Sequence, residues 1–339
     1  MKVTDPESSS AIILSKDQNR RRRNTRYWIA LVVGVGLFSG LLWYVSPREL
    51  WKLIEKVDIT FVLLALAVKL VGTIIRTLQF GLFSPKFGRF LTAYGVISLT
   101  RLLTIALPFR AGEIVLLTLL KKTKLFPTIA GAIPIWLVIR IGDVIALAAL
   151  FSVLIGLSPL GQDYGFVGYM ALGGAAFALA MMHMAPRLLP ADLKMPGNDW
   201  VSGRLSTLID GLRHVRSTNR KMASVGFGIL IWSCLIGMAV SAQAAFNSPF
   251  GIWDCALIAT FTLGVSMLPI NAPMGLGTGE TIWATVMVIF GLSLQEAVTL
   301  ALGIRIVFLA IACFEGIMGF LIIWHLGIWP VSSPQSHGR

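Results

Sequence analysis

Charged residues are scarce in this sequence, making up 13% of its 339 residues. A soluble globular domain carries about 25% charged residues. About half that share cannot cover the surface of a folded chain of this size, so the composition excludes a soluble domain. Hydrophobic residues make up 56% of the chain. The composition therefore predicts an integral membrane protein.

Cysteine and histidine are scarce as well, with three cysteines and four histidines. The cysteines lie in or beside apolar stretches, no CxxC pair exists, and the histidines are scattered along the chain. This pattern supports neither a metal site nor a disulfide framework. A nucleotide-binding loop is also missing. We therefore predict no metal, no cofactor and no catalytic residue, and any transport would be driven by ion gradients, membrane potential or mass action.

The chain has no recognisable cleavable signal. A polar leader occupies residues 1–26, and no A-x-A site follows the first apolar run, Tyr27–Val45. We interpret that run as a retained first helix. Crossing about 30 Å of hydrocarbon takes roughly 20 apolar residues. Six runs are close to this length or longer: Tyr27–Val45, Ile59–Phe83, Pro127–Leu157, Gly165–Pro186, Ala223–Phe246 and Leu294–Leu326.

The formal charge of +13 is unevenly distributed. Seven Lys or Arg residues lie in residues 1–26 and seven more in residues 187–221, whereas residues 158–166 and 247–254 contain none. An excess of Lys and Arg marks cytoplasmic segments. The basic segments are therefore predicted to face the cytoplasm beside anionic lipid headgroups. A nucleic-acid-binding patch is the less favoured alternative, and we predict no nucleic-acid partner.

Two apolar segments are interrupted in the middle. Residues 91–120 are broken by Leu-Pro-Phe-Arg-Ala-Gly-Glu at 107–113, and basic residues on both sides predict that both ends are cytoplasmic. Residues 252–292 are broken at 268–280, and both ends are predicted to lie outside. Each segment is expected to go in and come back, as a re-entrant hairpin or as two short crossings.

The surroundings of the two breaks match. Each is preceded by a long apolar helix and followed by one with an Ile-Arg-Ile triplet, centred on Arg140 and Arg305. The separation of Glu113 from Arg140 along the chain is close to that of Glu280 from Arg305. These matches predict two helix–hairpin–helix repeats of inverted topology, an arrangement that places a transporter's binding site at the broken helices. Chance similarity between apolar segments is the alternative.

The fold class predicted from these patterns is an all-α polytopic membrane protein. It has about eight transmembrane segments, including two broken or re-entrant hairpins in inverted-topology repeats. One transmembrane domain covers residues 27–326. Its predicted subdivisions and flanks are a cytoplasmic basic tail at 1–26, repeat 1 at about 59–157, a cytoplasmic loop at 187–222, repeat 2 at about 223–326 and a short C-terminal tail at 327–339.

Charged residues inside the apolar segments need partners or a cavity, because a charge at mid-membrane costs about 2.5–3.5 kcal/mol. Glu113 with Arg140, and Glu280 with Arg305, are predicted pairs between adjacent segments; Arg140 and Asp143 suit a pair within one helix. Buried pairs that only fix packing are the alternative. The predicted substrate-binding residues are Arg110, Gly112, Glu113, Arg140, Asp143, Gly277, Gly279, Glu280 and Arg305.

Four other charged residues lie nearer the predicted helix ends. We expect them to extend towards the membrane interface, because long side chains can cover apolar surface while their charges reach water. These residues are Lys69, Arg76, Asp254 and Glu296.

The two breaks resemble motifs of a known family. Residues 108–113 read P-F-R-A-G-E and are followed by a lysine pair, similar to the P-x-R-x-G-E segment of the lysylphosphatidylglycerol synthase transmembrane region family. Residues 275–280, G-L-G-T-G-E, resemble the family's second motif, as do F-G-L-S at 290–293 and A-L-G-I-R at 301–305. The resemblance covers about residues 27–325. An additional proline, Pro273, departs from the plainer glycine-rich run expected there.

The resemblance implies a flippase-like protein of a bacterial or archaeal cytoplasmic membrane, with both termini in the cytoplasm. Its expected partner is a phospholipid or other polar lipid. We expect the stand-alone form, without the soluble transferase domain of fused members. Two alternatives are an intramembrane enzyme that modifies headgroups using Glu113 and Glu280, and a scaffold for a lipid-modifying enzyme. The lipid, the energy coupling and the oligomeric state stay open.

Overall fold

The computed structural model describes residues 32, 35–36, 38–45, 47–84, 88–107, 111–159, 161–188, 217–267 and 275–328. Within these ranges the regular secondary structure is helical. Residues 38–44, in the predicted first membrane helix, are helical. Ten further helices follow: α1 (Pro47–Glu55), α2 (Ile59–Gly81), α3 (Phe90–Ala106), α4 (Ala111–Lys122), α5 (Ile129–Leu157), α6 (Gly161–Leu188), α7 (Thr218–Ala245), α8 (Ile252–Val265), α9 (Thr278–Ile289) and α10 (Leu294–His325).

Five of these helices are long and apolar enough to cross a membrane: α2, α5, α6, α7 and α10. They correspond to five of the six apolar runs predicted to span; of the sixth, Tyr27–Val45, residues 27–31, 33–34 and 37 lie outside the described residues. Large apolar side chains stay exposed on them; Tyr169, Met170 and Phe177 of α6 are 69–78% exposed. Such a surface suits lipid contact. The chain is thus an all-α, multi-pass membrane protein, as predicted.

Side-chain caps fix several helix starts. The Asp58 carboxylate accepts a hydrogen bond from the Thr60 backbone N–H at 2.8 Å before α2. The Thr128 hydroxyl accepts one from the Gly131 N–H at 3.1 Å before α5. Each cap satisfies a backbone donor that the first helical turn cannot satisfy itself. At the end of α3, Leu107 turns to an extended conformation, which is preferred by the residue preceding a proline.

Both interrupted segments form pairs of short helices that pack against each other. The first pair is α3 and α4, of 17 and 12 residues; the second is α8 and α9, of 14 and 12 residues. A Cβ added at Gly112 would lie 2.5 Å from the Thr104 backbone nitrogen, so glycine permits the close approach of α4 to α3. Of the predicted breaks at 107–113 and 268–280, residues 108–110 and 268–274 lie outside the described residues, and residues 111–113 and 278–280 begin α4 and α9.

The two predicted repeats pack on each other reciprocally. The first helices of the repeats, α2 and α7, lie side by side. The first hairpin packs through α3 on α10, and the second packs through α8 on α5, so each hairpin contacts the last helix of the other repeat. A two-fold relation between repeats would produce this exchange. It brings the helix ends at both breaks towards the middle of the bundle.

Glycines allow the close crossing of α3 and α10. A Cβ added at Gly319 would lie 2.6 Å from the Leu99 nitrogen and 2.7 Å from the Gly95 oxygen. Small residues at a helix crossing let backbones approach, which is how helices gain packing energy within lipid. Residues 1–26, 189–216 and 329–339, which include the predicted tails and most of the predicted loop 187–222, lie outside the described residues.

Candidate functional site

A cavity of about 280 Å³ lies where the two repeats meet. Both hairpins and both flanking helices of each repeat contribute to its wall. Its apolar lining includes Trp283 and Phe308, whose rings pack edge to face with centroids 6.0 Å apart. The charged side chains that line it are Arg76, Arg101, Glu113, Arg140, Glu280 and Arg305.

The first hairpin is tied to α5 by an ion pair between Glu113 and Arg140. This is one of the two pairs predicted between adjacent segments. Arg140 also lies over the Trp136 ring, with its guanidinium carbon 5.7 Å from the ring centroid. A further guanidinium nitrogen of Arg140 lies 3.4 Å from Asp143, one helical turn away, as predicted. Arg140 is therefore held by two carboxylates and an aromatic face.

Asp143 is fully buried and lies behind the cavity wall, where it also contacts α2. Its Oδ1 is 2.9 Å from Arg76 Nη1. Arg76 donates to the Gln79 side chain at 2.8 Å, and Gln79 donates to the Ser224 carbonyl oxygen at 2.9 Å. The prediction that Arg76 extends to the interface is wrong: its side chain is 6% exposed because an interior carboxylate holds it.

The second hairpin is tied to α10 by the other predicted pair. Arg305 Nε lies 3.2 Å from Glu280 Oε1, and the Glu280 side chain is fully buried. Glu280 lies in the first turn of α9, where the positive end of the helix dipole favours a carboxylate. The two repeats thus place equivalent Glu–Arg pairs on the wall of one cavity.

The glycine-rich motif makes room for Arg305. Gly275 has φ +63°, and a Cβ there would lie 3.0 Å from Arg305 Nη2. A side chain at this position would meet backbone strain and a tight contact that the guanidinium must relieve by moving a few tenths of an ångström. Gly277, with φ +74°, is the residue preceding α9, and its oxygen accepts a hydrogen bond from the Thr281 hydroxyl at 2.6 Å. Gly279 lines the cavity.

A second buried ion pair joins α2 to α10. Lys69 Nζ lies 2.5 Å from Glu315 Oε2, and Thr73 donates to the other carboxylate oxygen at 2.5 Å. The prediction that Lys69 extends to the interface is wrong, because its charge is neutralised in the bundle interior. Asp254 accepts from the Ser158 hydroxyl at 2.7 Å, and Glu296 lies exposed in the first turn of α10.

The structure brings most of the predicted substrate-binding residues to one place. Glu113, Arg140, Gly279, Glu280 and Arg305 line the cavity. Their part in substrate binding stays a prediction. Asp143 lies behind the wall, Gly112 and Gly277 shape the helix starts, and Arg110 lies outside the described residues.

The cavity residues that were not predicted include two arginines and a glycine: Arg76, Arg101 and Gly275. Arg76 and Arg101 are charges within apolar stretches, and this position in the sequence could have identified them as cavity residues. Gly275 belongs to the same glycine-rich motif as Gly277 and Gly279, so the motif itself was the signal that could have identified it. The charge of Arg76 was instead assigned to the interface because it lies near the end of an apolar run.

The described residues hold no group of three or more His, Cys, Asp or Glu side chains placed to bind a metal ion. The family model described as Lysylphosphatidylglycerol synthase TM region matches residues 27–314. No curated protein and no solved structure matches the chain.

Proposed function

The chain belongs to the lysylphosphatidylglycerol synthase TM region family, which has a membrane lipid-related role, and from this premise we propose that it is a lipid transporter or flippase. In this proposal the protein moves a polar headgroup between the leaflets of the membrane. The two broken hairpins form the path of the headgroup, and the acyl chains remain in the surrounding lipid.

The observation that carries the proposal is the charged cavity between the repeats. Six charged side chains line it, within a bundle whose outer surface is apolar. Charges inside a membrane are costly, so they normally pair or face an aqueous path used by a substrate. Here five of the six belong to ion pairs, all six line the cavity, and the starts of α4 and α9 lie at its wall, as at the broken helices of transporters.

The ion pairs suggest how the empty site stays stable. Glu113 and Glu280 neutralise Arg140 and Arg305 when no substrate is present. A headgroup phosphate can replace a carboxylate, because the planar guanidinium binds either anion through the same pair of donors. Exchange of one anion for another keeps each arginine paired throughout transport. A cationic group on the lipid headgroup would pair with the released carboxylates.

The same pairing argues against catalysis by the two glutamates. A general acid or base must be free to exchange a proton with the substrate. Glu113 and Glu280 are instead each held in an ion pair with an arginine. We therefore propose charge exchange without headgroup chemistry, and no cofactor or metal in the mechanism.

The proposed location is the inner, or cytoplasmic, membrane, with both termini in the cytoplasm. The basic residues at 1–26 and 187–221 support this orientation, because basic segments are retained on the cytoplasmic side. They would contact anionic headgroups there. The proposed partners are therefore a phospholipid or other polar lipid in the cavity and anionic lipids at the cytoplasmic surface.

Headgroup translocation in proteoliposomes tests the proposal. Purified protein would be reconstituted with fluorescent anionic and cationic phospholipids, and transfer would be followed by dithionite quenching of the outer leaflet. We expect transfer by the wild type, strong loss in Arg110→Ala and Glu280→Ala, and normal transfer in Glu296→Gln, whose carboxylate is exposed. Well-folded wild type that transfers none of these lipids would contradict the proposal.

A further inference from the structure

The two halves of the cavity differ in charge, although the repeats that form them are related. The first half contains Arg76, Arg101 and Arg140 against Glu113 and Asp143. The second half contains one arginine, Arg305, against one carboxylate, Glu280. Among the described residues the first half therefore carries one excess positive charge, and the second half carries none.

Arg101 is the source of the excess. The other three arginines each lie within 4.0 Å of a carboxylate. Within the described part of the chain, no carboxylate lies at this distance from Arg101, which lines the cavity from α3. An arginine left unpaired at this depth is costly unless an anion comes to it.

The space beside Arg101 is suited to such an anion. A smaller cavity of about 50 Å³ continues from the main one and shares Arg76, Arg101, Glu113 and Arg140 with it. Further donors border it: the indole N–H of Trp136 and the Nε of Arg140 find no acceptor among the described residues. Unpaired buried donors of this kind are uncommon, because each lost hydrogen bond costs free energy.

Among its described residues the second repeat has no cavity-lining arginine without a carboxylate within 4.0 Å, although Arg305 Nε and Nη2 also find no hydrogen-bond acceptor. Its hairpin helix α8 (Ile252–Val265) contains no Lys or Arg, and its one acidic residue is Asp254, in the first turn. Helix α7, the counterpart of α2, carries basic residues only at its start, Arg220 and Lys221. The excess positive charge therefore belongs to the first half of the cavity. The site has one positive half and one neutral half.

We infer that the first hairpin holds an anion-binding subsite centred on Arg101, which binds the phosphate of a lipid headgroup. This inference rests on the proposed function, because it specifies which part of the substrate binds in which half of the cavity. The phosphate lies at Arg101, flanked by Arg76 and Arg140. The remainder of the headgroup lies towards Glu280 and Arg305, where the lining is neutral overall.

Binding of soluble short-chain lipids tests the inference independently of transport. Detergent-purified full-length protein would be titrated with dihexanoylphosphatidylglycerol, which carries the phosphate, and with dihexanoylglycerol, which lacks it. We expect Arg101→Gln to weaken binding of the phospholipid by about tenfold or more, since a charge-assisted hydrogen-bonded contact is lost. Binding of dihexanoylglycerol should not change. Arg101→Lys keeps the charge and should recover part of the affinity.

The matched control is Arg48→Gln, which removes an exposed arginine of α1, away from the cavity, and should leave both affinities unchanged. Inorganic phosphate is a third probe. Competition of inorganic phosphate with the phospholipid at millimolar concentration supports a phosphate subsite. Binding of inorganic phosphate without any binding of the phospholipid would overturn the inference that the bound phosphate belongs to a lipid. Unfolding temperatures show which variants are folded. If Arg101→Gln is unstable, the phospholipid affinity of Arg101→Lys is compared with that of the wild type instead.

The outcomes separate the inference from the proposed function. Unchanged phospholipid affinity in folded Arg101→Gln overturns the subsite, even if the wild type transports lipid. A wild type that binds the phospholipid through Arg101 but translocates no lipid overturns the transporter proposal and leaves the subsite standing. Absence of phospholipid binding by folded wild type overturns the subsite as well.

Discussion

Arg76 Nη1 lies 2.9 Å from Asp143 Oδ1, which joins α2 to α5 in the interior of the bundle. The same carboxylate lies 3.4 Å from Arg140, so one buried acid serves two arginines of the cavity wall. Removing one partner from a buried pair leaves an uncompensated charge, which costs more than the pair contributes. Asp143 therefore holds two arginines in place without contacting the cavity itself.

Asp143→Asn should destabilise the protein by about 3–5 kcal/mol, because it leaves Arg76 without its carboxylate partner. Thermal unfolding in detergent, followed by tryptophan fluorescence, measures this loss. The control Glu296→Gln removes an exposed carboxylate and should change stability by less than about 0.5 kcal/mol. The double variant Arg76→Gln/Asp143→Asn should recover part of the loss. Equal stability of Asp143→Asn and the wild type would contradict the role given to this pair.

Gly275→Ala should lower headgroup transfer strongly, because the added methyl group displaces the Arg305 guanidinium. Backbone strain at positive φ accompanies this substitution and costs about 1–2 kcal/mol. Gly327→Ala separates the two effects: Gly327 has φ +62°, close to the +63° of Gly275, but no atom within 4 Å of an added Cβ. Translocation should fall only in Gly275→Ala. A similar fall in both variants would attribute the effect to strain.

Gly319→Ala should destabilise the protein, because the added carbon would lie 2.6 Å from the backbone of α3. Gly174→Ala on α6 provides a control of opposite sign. No atom lies within 4 Å of its added Cβ, so the gain in helix propensity, about 1 kcal/mol at most, is its main expected effect. Unfolding temperature is the measurement. A Gly319→Ala protein as stable as Gly174→Ala would mean that α3 and α10 can separate freely.

Glu113→Gln should tighten binding of an anionic short-chain lipid and slow its transfer. Among the described residues, four arginines and two glutamates line the cavity, so the substitution raises the charge of this lining from +2 to +3. It also removes the carboxylate that competes with phosphate for Arg140. Titration with dihexanoylphosphatidylglycerol gives the affinity, and proteoliposome transfer gives the rate. Weaker binding with normal stability would contradict the competition between Glu113 and phosphate for Arg140.

Sequence patterns predicted the fold well, because lipid imposes strong constraints on sequence. Apolar runs of the required length became helices, and Pro108 marks the end of α3 as expected. Matching motifs at similar spacing predicted both Glu–Arg pairs, at Glu113 and Glu280. These features depend on residues near each other in the chain or on repeated patterns.

The errors concern contacts between distant helices. Lys69 and Arg76 lie on faces of α2 that meet α10 and α5. Their acidic partners, Glu315 and Asp143, lie on helices much further along the chain. Nothing in the local sequence distinguishes an arginine directed to such a partner from one that reaches the interface. Arg101 is a charge within an apolar segment, but its lack of a carboxylate partner among the described residues is a property of the assembled cavity.

The reciprocal packing of the repeats also sets an order of assembly during synthesis. Helix α3 ends at Ala106, but the helix that covers it, α10, begins only at Leu294. At ribosomal speeds of roughly 5–20 residues per second, synthesis of the intervening chain takes about 10–40 s. During this time the first hairpin lacks its contact with α10. The glycine face of α3 must therefore stay sheltered by lipid or by the insertion machinery, and the bundle closes only when the last helix leaves the ribosome.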